Sequence, residues 1–182
     1  MMSNQPASAA SAGDLAGLAR FNGLPAEAAR QALMACCSSR SWAEAVVSGR
    51  PYESAASLLR RSDEAVAGLA PADLRDALSG HPRIGERSEG STGDTDRWSG
   101  QEQAGMAGAA AATRRALADG NAVYEQRFGH IYLVCATGRS AGELLELLRA
   151  RLGNDAGMEW RVVRSELKKI NRIRLDKLIG GT

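Results

Sequence analysis

The sequence predicts an all-α protein, built as a single-domain helical bundle of about eight helices. From Asp14 onward the apolar residues recur at the spacing of an amphipathic helix, and runs of alternating β-branched residues are nearly absent. The length of 182 residues and a hydrophobic content of 44% suffice for one domain with its own core. A helical bundle is therefore the expected architecture.

The first 13 residues differ in composition from the rest of the chain. The segment MMSNQPASAASAG consists mostly of small and polar residues. Such a segment cannot offset its ordering entropy by burying apolar surface, and it lacks the basic and apolar regions of a secretory signal. We predict a disordered tail at 1–13 and a helical domain at 14–182.

Helical periodicity and local end signals divide the domain into candidate helices. Pro25 stands at a first-turn position, Arg50-Pro51 restarts the chain, and Gly80 is placed to end a helix. The segment 83–98 is rich in Gly, Ser, Thr and Asp, which predicts a long loop. The predicted helices span 14–20, 25–37, 40–48, 52–60, 71–79, 99–119, 121–128, 141–152 and 156–179.

The best candidate for a β-strand is the segment IYLVCA at 131–136, where Ile, Tyr and Val cluster. A single strand would have no partner with which to pair its backbone. We therefore expect this segment to be an extended or helical buried piece of an all-α domain.

Charge and cysteine content exclude several classes of protein. The 23 basic and 21 acidic residues leave a formal charge of +2, which requires no nucleic-acid partner. No apolar run approaches the roughly 18 to 20 residues of a membrane span. Three cysteines, Cys36, Cys37 and Cys135, form no CxxC pair. We expect a cytoplasmic protein that binds neither nucleic acid nor membrane.

His81 is the first candidate for chemistry. It precedes Pro82, which moves its backbone out of the helical region and makes a stiff corner. An imidazole titrates near neutrality, so it can donate and accept protons during turnover. The alternative is a histidine that caps a helix or lies in a surface loop.

Ser99, Glu102 and Gln103 form a second candidate group. Ser-x-x-Glu is the spacing of a capping box, so both side chains are candidates for satisfying backbone amides at a helix start. In a helix over 99–119, Glu102 instead lies at the edge of the apolar face and points toward the core. Gln103 adds a donor and an acceptor on an adjoining face.

Arg174 interrupts the apolar face of the last predicted helix. The inward positions of that helix are otherwise occupied by apolar residues, among them Leu167 and Ile170. An inward arginine needs an anionic partner, because an unpaired buried charge is very costly. The partner is either a protein carboxylate such as Glu102 or the carboxylate of a ligand.

Motifs for metals, phosphates and nucleophiles find little support. His81, Glu86, Glu102 and His130 are conceivable metal ligands, but no HxxxH or HExxH spacing places two of them on one helical face. The sequence also lacks GxxxxGK[ST] and GxSxG, and no GxGxxG follows a strand. We predict no metal site and no cofactor.

The string HPRIGE at 81–86, followed by SGQEQAGM at 99–106, resembles the 2-oxo-4-hydroxy-4-carboxy-5-ureidoimidazoline (OHCU) decarboxylases. The resemblance covers about residues 14–179, and the combination of His-Pro with Ser-x-x-Glu-Gln is specific although each half is short. Further matching stretches lie at 36–42 (CCSSRSW), 50–52 (RPY), 121–129 (NAVYEQRFG), 151–152 (RL) and 168–178 (KKINRIRLDKL).

The resemblance implies an all-α, commonly dimeric, cofactor-free carboxy-lyase that produces S-allantoin in urate and purine degradation. By motif, His81 corresponds to the catalytic histidine, and Glu102 joins it in the predicted catalytic set. The resemblance implies substrate contacts from Pro82, Ser99, Gln103, Ile131 and Arg174. A small-molecule substrate and a homodimer are thus expected.

One departure from the family pattern leaves other functions open. Relatives usually continue Phe-Gly with Phe-Pro-Phe, whereas this chain has His130, Ile131 and Tyr132, in a segment that borders the substrate in relatives. One alternative is a lyase that acts on a related ureido acid. Another is a non-catalytic helical interaction module whose basic terminal helix binds a partner.

Overall fold

The computed structural model describes residues 12–85, 94–106 and 108–180. Over these residues the chain forms nine α-helices and one 3-10 turn and contains no strand, so the all-α prediction is confirmed. The helices are α1 (Ala12–Gly23), α2 (Ala26–Cys36), α3 (Arg40–Val47), α4 (Ala55–Gly68), α5 (Pro71–Ser79), α6 (Asp94–Glu102), α7 (Ala111–Phe128), α8 (Ala141–Arg151) and α9 (Ala156–Gly180).

Local capping determines where the early helices begin. Pro25 is the N-cap of α2, and the Ser39 hydroxyl accepts a hydrogen bond from the Trp42 amide at the start of α3. Ser54 and Ser57 form a reciprocal capping box at the start of α4. The helix predicted at 52–60 therefore begins later, at Ala55, and extends to Gly68. Most of the predicted tail at 1–13 lies outside the described residues, and α1 already includes its last two residues.

The prediction of one helix over 99–119 is wrong. Helix α6 ends at Glu102, a 3-10 turn spans Ala104–Met106, and α7 starts at Ala111. Gly108 has a φ of +78°, in the left-handed region that no residue of a right-handed helix adopts. The predicted loop at 83–98 is also partly wrong, because 94–98 belong to α6. Its residues 86–93 lie outside the described part of the chain.

Helix α7 is one continuous helix where the sequence predicts two. It passes through Gly120, whose added Cβ would lie 2.5 Å from Leu148 Cδ2 of α8. The glycine thus permits close approach of α7 to α8 and does not end a helix. Gly129, with a φ of +72°, is the residue that ends α7.

The buried apolar residues form two clusters. The first cluster contains residues of α1 to α5, Trp98 of α6 and one face of α9. The second cluster is built mainly from α7 and α8 and includes Ile84. No helix within the described ranges is both long enough and apolar enough to cross a membrane.

Residues 130–137, which we call the wall segment, run between the two clusters without helical structure. Leu133 and Cys135 belong to the first cluster, whereas Tyr132, Val134 and Ala136 belong to the second. This alternation has the two-residue period of an extended chain. The sequence left a choice between an extended and a helical segment, and the structure excludes the helix.

Candidate active site

A pocket opens at the boundary between the two clusters, with an empty volume of about 360 Å³ that is partly open to solvent. Helices α6 and α9, the corner after α5 and the wall segment all contribute to its lining. Six of the seven predicted site residues line it: His81, Pro82, Ser99, Glu102, Gln103 and Arg174. The remaining lining residues are Ile84, Tyr132, Leu133, Val134, Ala136, Thr137 and Ile170.

Arg174 and Glu102 form a buried ion pair on one side of the pocket. Arg174 Nε donates to Glu102 Oε1 and Nη2 donates to Oε2, both at 2.9 Å, while the two residues are 1% and 9% exposed. The two parallel bonds use the planar fork of the guanidinium. Of the two partners that the sequence left open for Arg174, the structure supplies the protein carboxylate.

Ser99 does not cap a helix. It lies inside α6, and its Oγ accepts a hydrogen bond of 3.1 Å from Arg174 Nη2. Arg174 Nη1 also donates to the Cys36 carbonyl oxygen at 3.1 Å. These contacts fix the guanidinium between α2, α6 and α9. The capping-box interpretation of Ser99 and Glu102 is therefore wrong, because α6 begins five residues before Ser99 at Asp94.

His81 lies beside this ion pair, at the corner that follows α5. Its Nε2 is fully buried and has no hydrogen-bond partner within the described structure. Burial, together with the positive charge of Arg174, lowers the pKa of His81 from 6.5 to about 3. The imidazole is therefore neutral near pH 7, and its Nε2 is available to a group that enters the pocket.

Gln103 holds the backbone that follows His81 and Pro82. Its Oε1 accepts a hydrogen bond of 2.8 Å from the Gly85 amide, and its Nε2 donates to the Arg83 carbonyl at 3.4 Å. Asn121 of α7 donates to the Ile84 carbonyl at 3.1 Å. The rim of the pocket is thus connected to α7 by side chains.

The wall segment supplies five lining residues that were not among the predicted site residues. Ile131, which the resemblance implied as a substrate contact, is not among the lining residues and packs instead against the first cluster. The lining of the pocket begins at Tyr132, the next residue along the wall segment. The clustering of β-forming residues at 131–136 was the signal that an extended piece of chain lies here.

A second buried ion pair lies next to the wall segment. Arg151 of α8 donates from Nε to Glu159 Oε1 of α9 at 2.8 Å, and from Nη1 to the Leu133 carbonyl at 2.6 Å. Tyr124 and Asn154 also donate to the Glu159 carboxylate. Burial raises the pKa of Glu159, but the hydrogen bonds from Arg151, Tyr124 and Asn154 outweigh it and hold this pKa below its ordinary value.

Of the four conceivable metal ligands, His81, Glu102 and His130 lie among the described residues and do not form a metal site there. No cluster of three or more His, Cys, Asp or Glu side chains suited to a metal occurs among the described residues, and Glu86 lies outside them. His130 packs against Trp160, with ring centroids 4.2 Å apart, and its Nδ1 lies 3.0 Å from the Ile131 carbonyl oxygen. His130 does not line the pocket.

The pocket therefore combines a neutral imidazole with a fixed carboxylate and guanidinium. The imidazole can accept a proton or share one, and the carboxylate can accept hydrogen bonds from N–H groups of a ligand. Apolar side chains from Ile84, Val134 and Ile170 line part of the remaining surface. This arrangement suits proton transfer on a small polar molecule.

Comparison with known proteins gives consistent results. The sequence model of the OHCU decarboxylase family matches residues 22–176. The "Uric acid degradation bifunctional protein TTL" of Arabidopsis thaliana is 31% identical over 147 residues, which are 80% of this chain and 45% of that protein. The chain thus spans less than half the length of this relative. The "2-oxo-4-hydroxy-4-carboxy-5-ureidoimidazoline decarboxylase" of Amia calva is 33% identical over 142 residues, 75% of this chain and 79% of the relative.

Two solved structures share the fold. An OHCU decarboxylase crystallised in the presence of (S)-allantoin matches with a TM-score of 0.69 and 26% identity, over 80% of this chain and 95% of that one. An (S)-allantoin synthase matches with a TM-score of 0.68 over 88% of this chain and 53% of that one, and its 16% identity supports the fold alone. With the family match covering most of the sequence, the chain belongs to the OHCU decarboxylase family.

Proposed function

We propose that this protein decarboxylates OHCU to S-allantoin in urate degradation, without a metal or organic cofactor. The observation that carries the proposal is the buried, unpartnered Nε2 of His81, in the same pocket as the Arg174–Glu102 pair. Membership of the OHCU decarboxylase family supports the reaction type. The solved relative crystallised with (S)-allantoin supports the identity of the product.

The chemistry of the substrate explains why such a pocket is sufficient. Loss of carbon dioxide leaves an electron pair on the ring carbon, and the conjugated ring of the substrate accepts this charge as an enolate-like species. The protein must orient the scissile carboxylate out of the ring plane, remove water from it and deliver a proton to one face. One-sided proton delivery accounts for a single enantiomer of the product.

His81 is the proposed proton-transfer residue. Its pKa of about 3 means that the resting enzyme holds a neutral imidazole, which can take a proton from the substrate hydroxyl. The imidazolium that forms then returns a proton at the developing carbanion. A bound anionic substrate favours this imidazolium, because a nearby negative charge raises the pKa of a histidine.

The other polar residues hold and orient the substrate in this proposal. Glu102, fixed by Arg174, accepts hydrogen bonds from ureido or ring N–H groups, and Arg174 supplies the positive potential that attracts an anionic oxygen. Ser99 and Gln103 provide further polar contacts, and Pro82 and Ile131 are further neighbours of the substrate. Ile131 lies next to Tyr132, the first residue of the wall segment that lines the pocket.

The test is a polarimetric assay of freshly generated substrate with wild type and His81→Asn. Asparagine is close in size but cannot transfer protons in this pH range. We expect wild type to form optically active allantoin faster than the spontaneous reaction, and the variant to lose on the order of 10² to 10⁴ in rate. Circular dichroism should show an unchanged helix content.

The matched control is His130→Phe, which removes the other histidine and keeps an aromatic ring against Trp160. Because His130 does not line the pocket, this variant should retain turnover. A fully active His81→Asn enzyme would remove His81 from the mechanism. A wild-type protein that fails to accelerate the reaction would overturn the proposed function and favour the interaction module or a different ureido acid.

We further propose a cytoplasmic homodimer. The dimer rests on the resemblance to a commonly dimeric family, and light scattering of the purified protein tests it by molar mass. The compartment is supported by Cys37 and Cys135, which are buried free thiols. Burial raises the pKa of Cys37 to about 11, which keeps its thiol protonated.

A further inference from the structure

We propose that Arg151 and Glu166 are positioning residues for the decarboxylation, because they hold the main chain of the wall segment at the pocket. This inference rests on the proposed function and assigns roles to two residues that do not line the pocket. Both residues are buried, at 6% and 7% exposure, although both are charged. Such residues are costly unless their contacts compensate for the loss of water.

The wall segment needs such anchors because no strand pairs with it among the described residues. Buried backbone N–H and C=O groups must find partners, and in a sheet the neighbouring strand supplies them. Here side chains supply them. Arg151 Nη1 donates to the Leu133 carbonyl at 2.6 Å, and the Cys135 amide donates to Glu166 Oε2 at 2.8 Å. Arg139 Nε adds a bond of 3.2 Å to the Cys135 carbonyl.

The two anchors bind alternate residues of the segment. Leu133 and Cys135 are two apart, so in an extended chain their backbone groups lie along the same edge. Arg151 reaches this edge from the end of α8 and Glu166 reaches it from the middle of α9. Two bonds from different helices determine both the position and the rotation of the segment.

Arg151 is itself firmly held. Its Nε and Nη2 both donate to Glu159 Oε1, and its guanidinium stacks over the Tyr132 ring at 4.7 Å. Asn154 Nδ2 donates to Glu159 Oε2 at 2.7 Å. The carbonyl of Leu133 is therefore bound to a side chain that has little freedom to follow it if the segment shifts.

The position of the wall segment affects the reaction because the segment carries residues that line the pocket. Tyr132, Leu133, Val134, Ala136 and Thr137 all line the pocket, so a shift of the segment moves one complete wall relative to His81 and Glu102. A displacement of about 1 Å at a reacting centre can cost on the order of 10²-fold in rate. Loss of an anchor should therefore change substrate binding and turnover even where the fold survives.

The decisive experiment compares Glu166→Gln with Glu166→Met. Glutamine keeps an oxygen that accepts the Cys135 amide, whereas methionine keeps the bulk of the side chain and removes the acceptor. Both variants lose the ion pair with Lys169, whose Nζ lies 2.5 Å from Glu166 Oε1, so their difference reports the main-chain bond. Lys169→Met is the matched control, because it removes that ion pair and leaves the anchor intact.

We expect Glu166→Met to lower kcat/KM on the order of 10-fold or more, mainly through KM, and to reduce the enantiomeric excess of the product. Glu166→Gln and Lys169→Met should stay within about threefold of wild type, because both keep the acceptor. Rates are measured well below the thermal midpoint of each variant. A purely structural role would lower that midpoint and leave KM and enantiomeric excess unchanged.

Equal kinetics for Glu166→Gln and Glu166→Met would overturn the inference while leaving the proposed function intact. If Glu166→Met does not fold, Arg151→Lys provides the second test, since one ammonium group cannot bond Glu159 and the Leu133 carbonyl as the guanidinium does. A folded Arg151→Lys enzyme with wild-type KM and enantiomeric excess would also overturn it. Failure of wild type to accelerate decarboxylation identifies the proposed function as the part that failed.

Discussion

Burial decides the charge state of the imidazole at the pocket. His81 is neutral because its charged form would lose hydration and would face Arg174. Arg174 and Glu102, in contrast, are joined by two direct bonds. The same pocket thus places an imidazole without a hydrogen-bond partner at Nε2 beside a paired carboxylate and guanidinium. Both effects can be measured as changes in stability.

The first prediction concerns the pH dependence of stability. The pKa of His81 is about 3 in the folded chain and close to 6.5 when unfolded, so between these values the unfolded chain binds a proton that the folded chain does not. The contribution of the neutral His81 to the free energy of unfolding is complete above pH 6.5 and is lost as the pH falls toward 3. We expect the stability of wild type relative to His81→Asn to fall over this range. Urea unfolding from about pH 4 to about pH 8 measures the difference, and parallel curves would contradict the assigned pKa.

The second prediction concerns the buried ion pair. Arg174→Met leaves the carboxylate of Glu102 buried without its partner, which should cost about 3–5 kcal/mol in the free energy of unfolding. The double variant Arg174→Met with Glu102→Leu should be more stable than the single variant, since no unpaired charge remains. Denaturant unfolding measures both.

The control for Arg174→Met is Arg172→Met, on the same helix. Arg172 pairs with Asp63, but their side chains are 46% and 23% exposed. Arg172→Met should therefore cost only about 0–1 kcal/mol. If Arg174→Met were no more costly than Arg172→Met, the pair at the pocket would contribute little to the fold.

Close helix contacts decide how the elements continue or end. Helix α7 continues through Gly120. A glycine is needed there because α8 approaches too closely for a Cβ at that position. Arg164 of α9 donates to the Val66 carbonyl at 2.7 Å and to the Leu69 carbonyl at 2.9 Å, which satisfies the C-terminal end of α4. Neither relation is visible in local sequence, since each depends on a partner distant in the chain.

The third prediction tests the contact between α7 and α8. Gly120→Ala should destabilise the protein by about 1–3 kcal/mol, because its Cβ would meet Leu148 Cδ2 at 2.5 Å, and this exceeds the gain of about 1 kcal/mol in helix propensity. Gly142→Ala is the control on α8, where the nearest atom is 3.9 Å away. It should be neutral or stabilising by up to about 1 kcal/mol. Thermal unfolding compares the two, and equal midpoints would mean that Leu148 moves aside freely.

The pocket lies where the two apolar clusters meet, so the site exists only while the two clusters keep their positions relative to each other. The wall segment sends alternate side chains into each cluster, and Arg151 and Glu159 connect α8 to α9. Gln103 and Asn121 connect the corner after His81 to α6 and α7. These links should make the domain unfold as one unit.

The fourth prediction tests this cooperativity. Leu144 is fully buried in the second cluster, and Leu144→Ala should destabilise the protein by about 2–5 kcal/mol. The three tryptophans all belong to or pack against the first cluster: Trp42, Trp98 and Trp160. Tryptophan fluorescence should therefore report the same lowered midpoint as far-UV circular dichroism. A fluorescence transition that stays at the wild-type midpoint would show that the clusters unfold independently.

Much of the fold and of the candidate site follows from the sequence. The apolar period predicts the all-α class and the long terminal helix, and the short motifs predict six residues that line the pocket. The break at Gly108 and the continuity through Gly120 were missed. Local sequence does not distinguish a glycine that ends a helix from a glycine that permits close approach of another helix. That Ile131 packs against the first cluster and does not line the pocket depends on tertiary packing, which local sequence does not contain.

The sequence by itself determined the class of fold, the family and the set of polar residues available for chemistry, because periodicity and short motifs are local properties of a chain. Only the tertiary structure decided that Arg174 pairs with Glu102, that the Nε2 of His81 is buried beside them and that Arg151 and Glu166 hold the wall segment. These are contacts between residues far apart in the chain. Their energies depend on burial and distance, which exist only once the helices have packed.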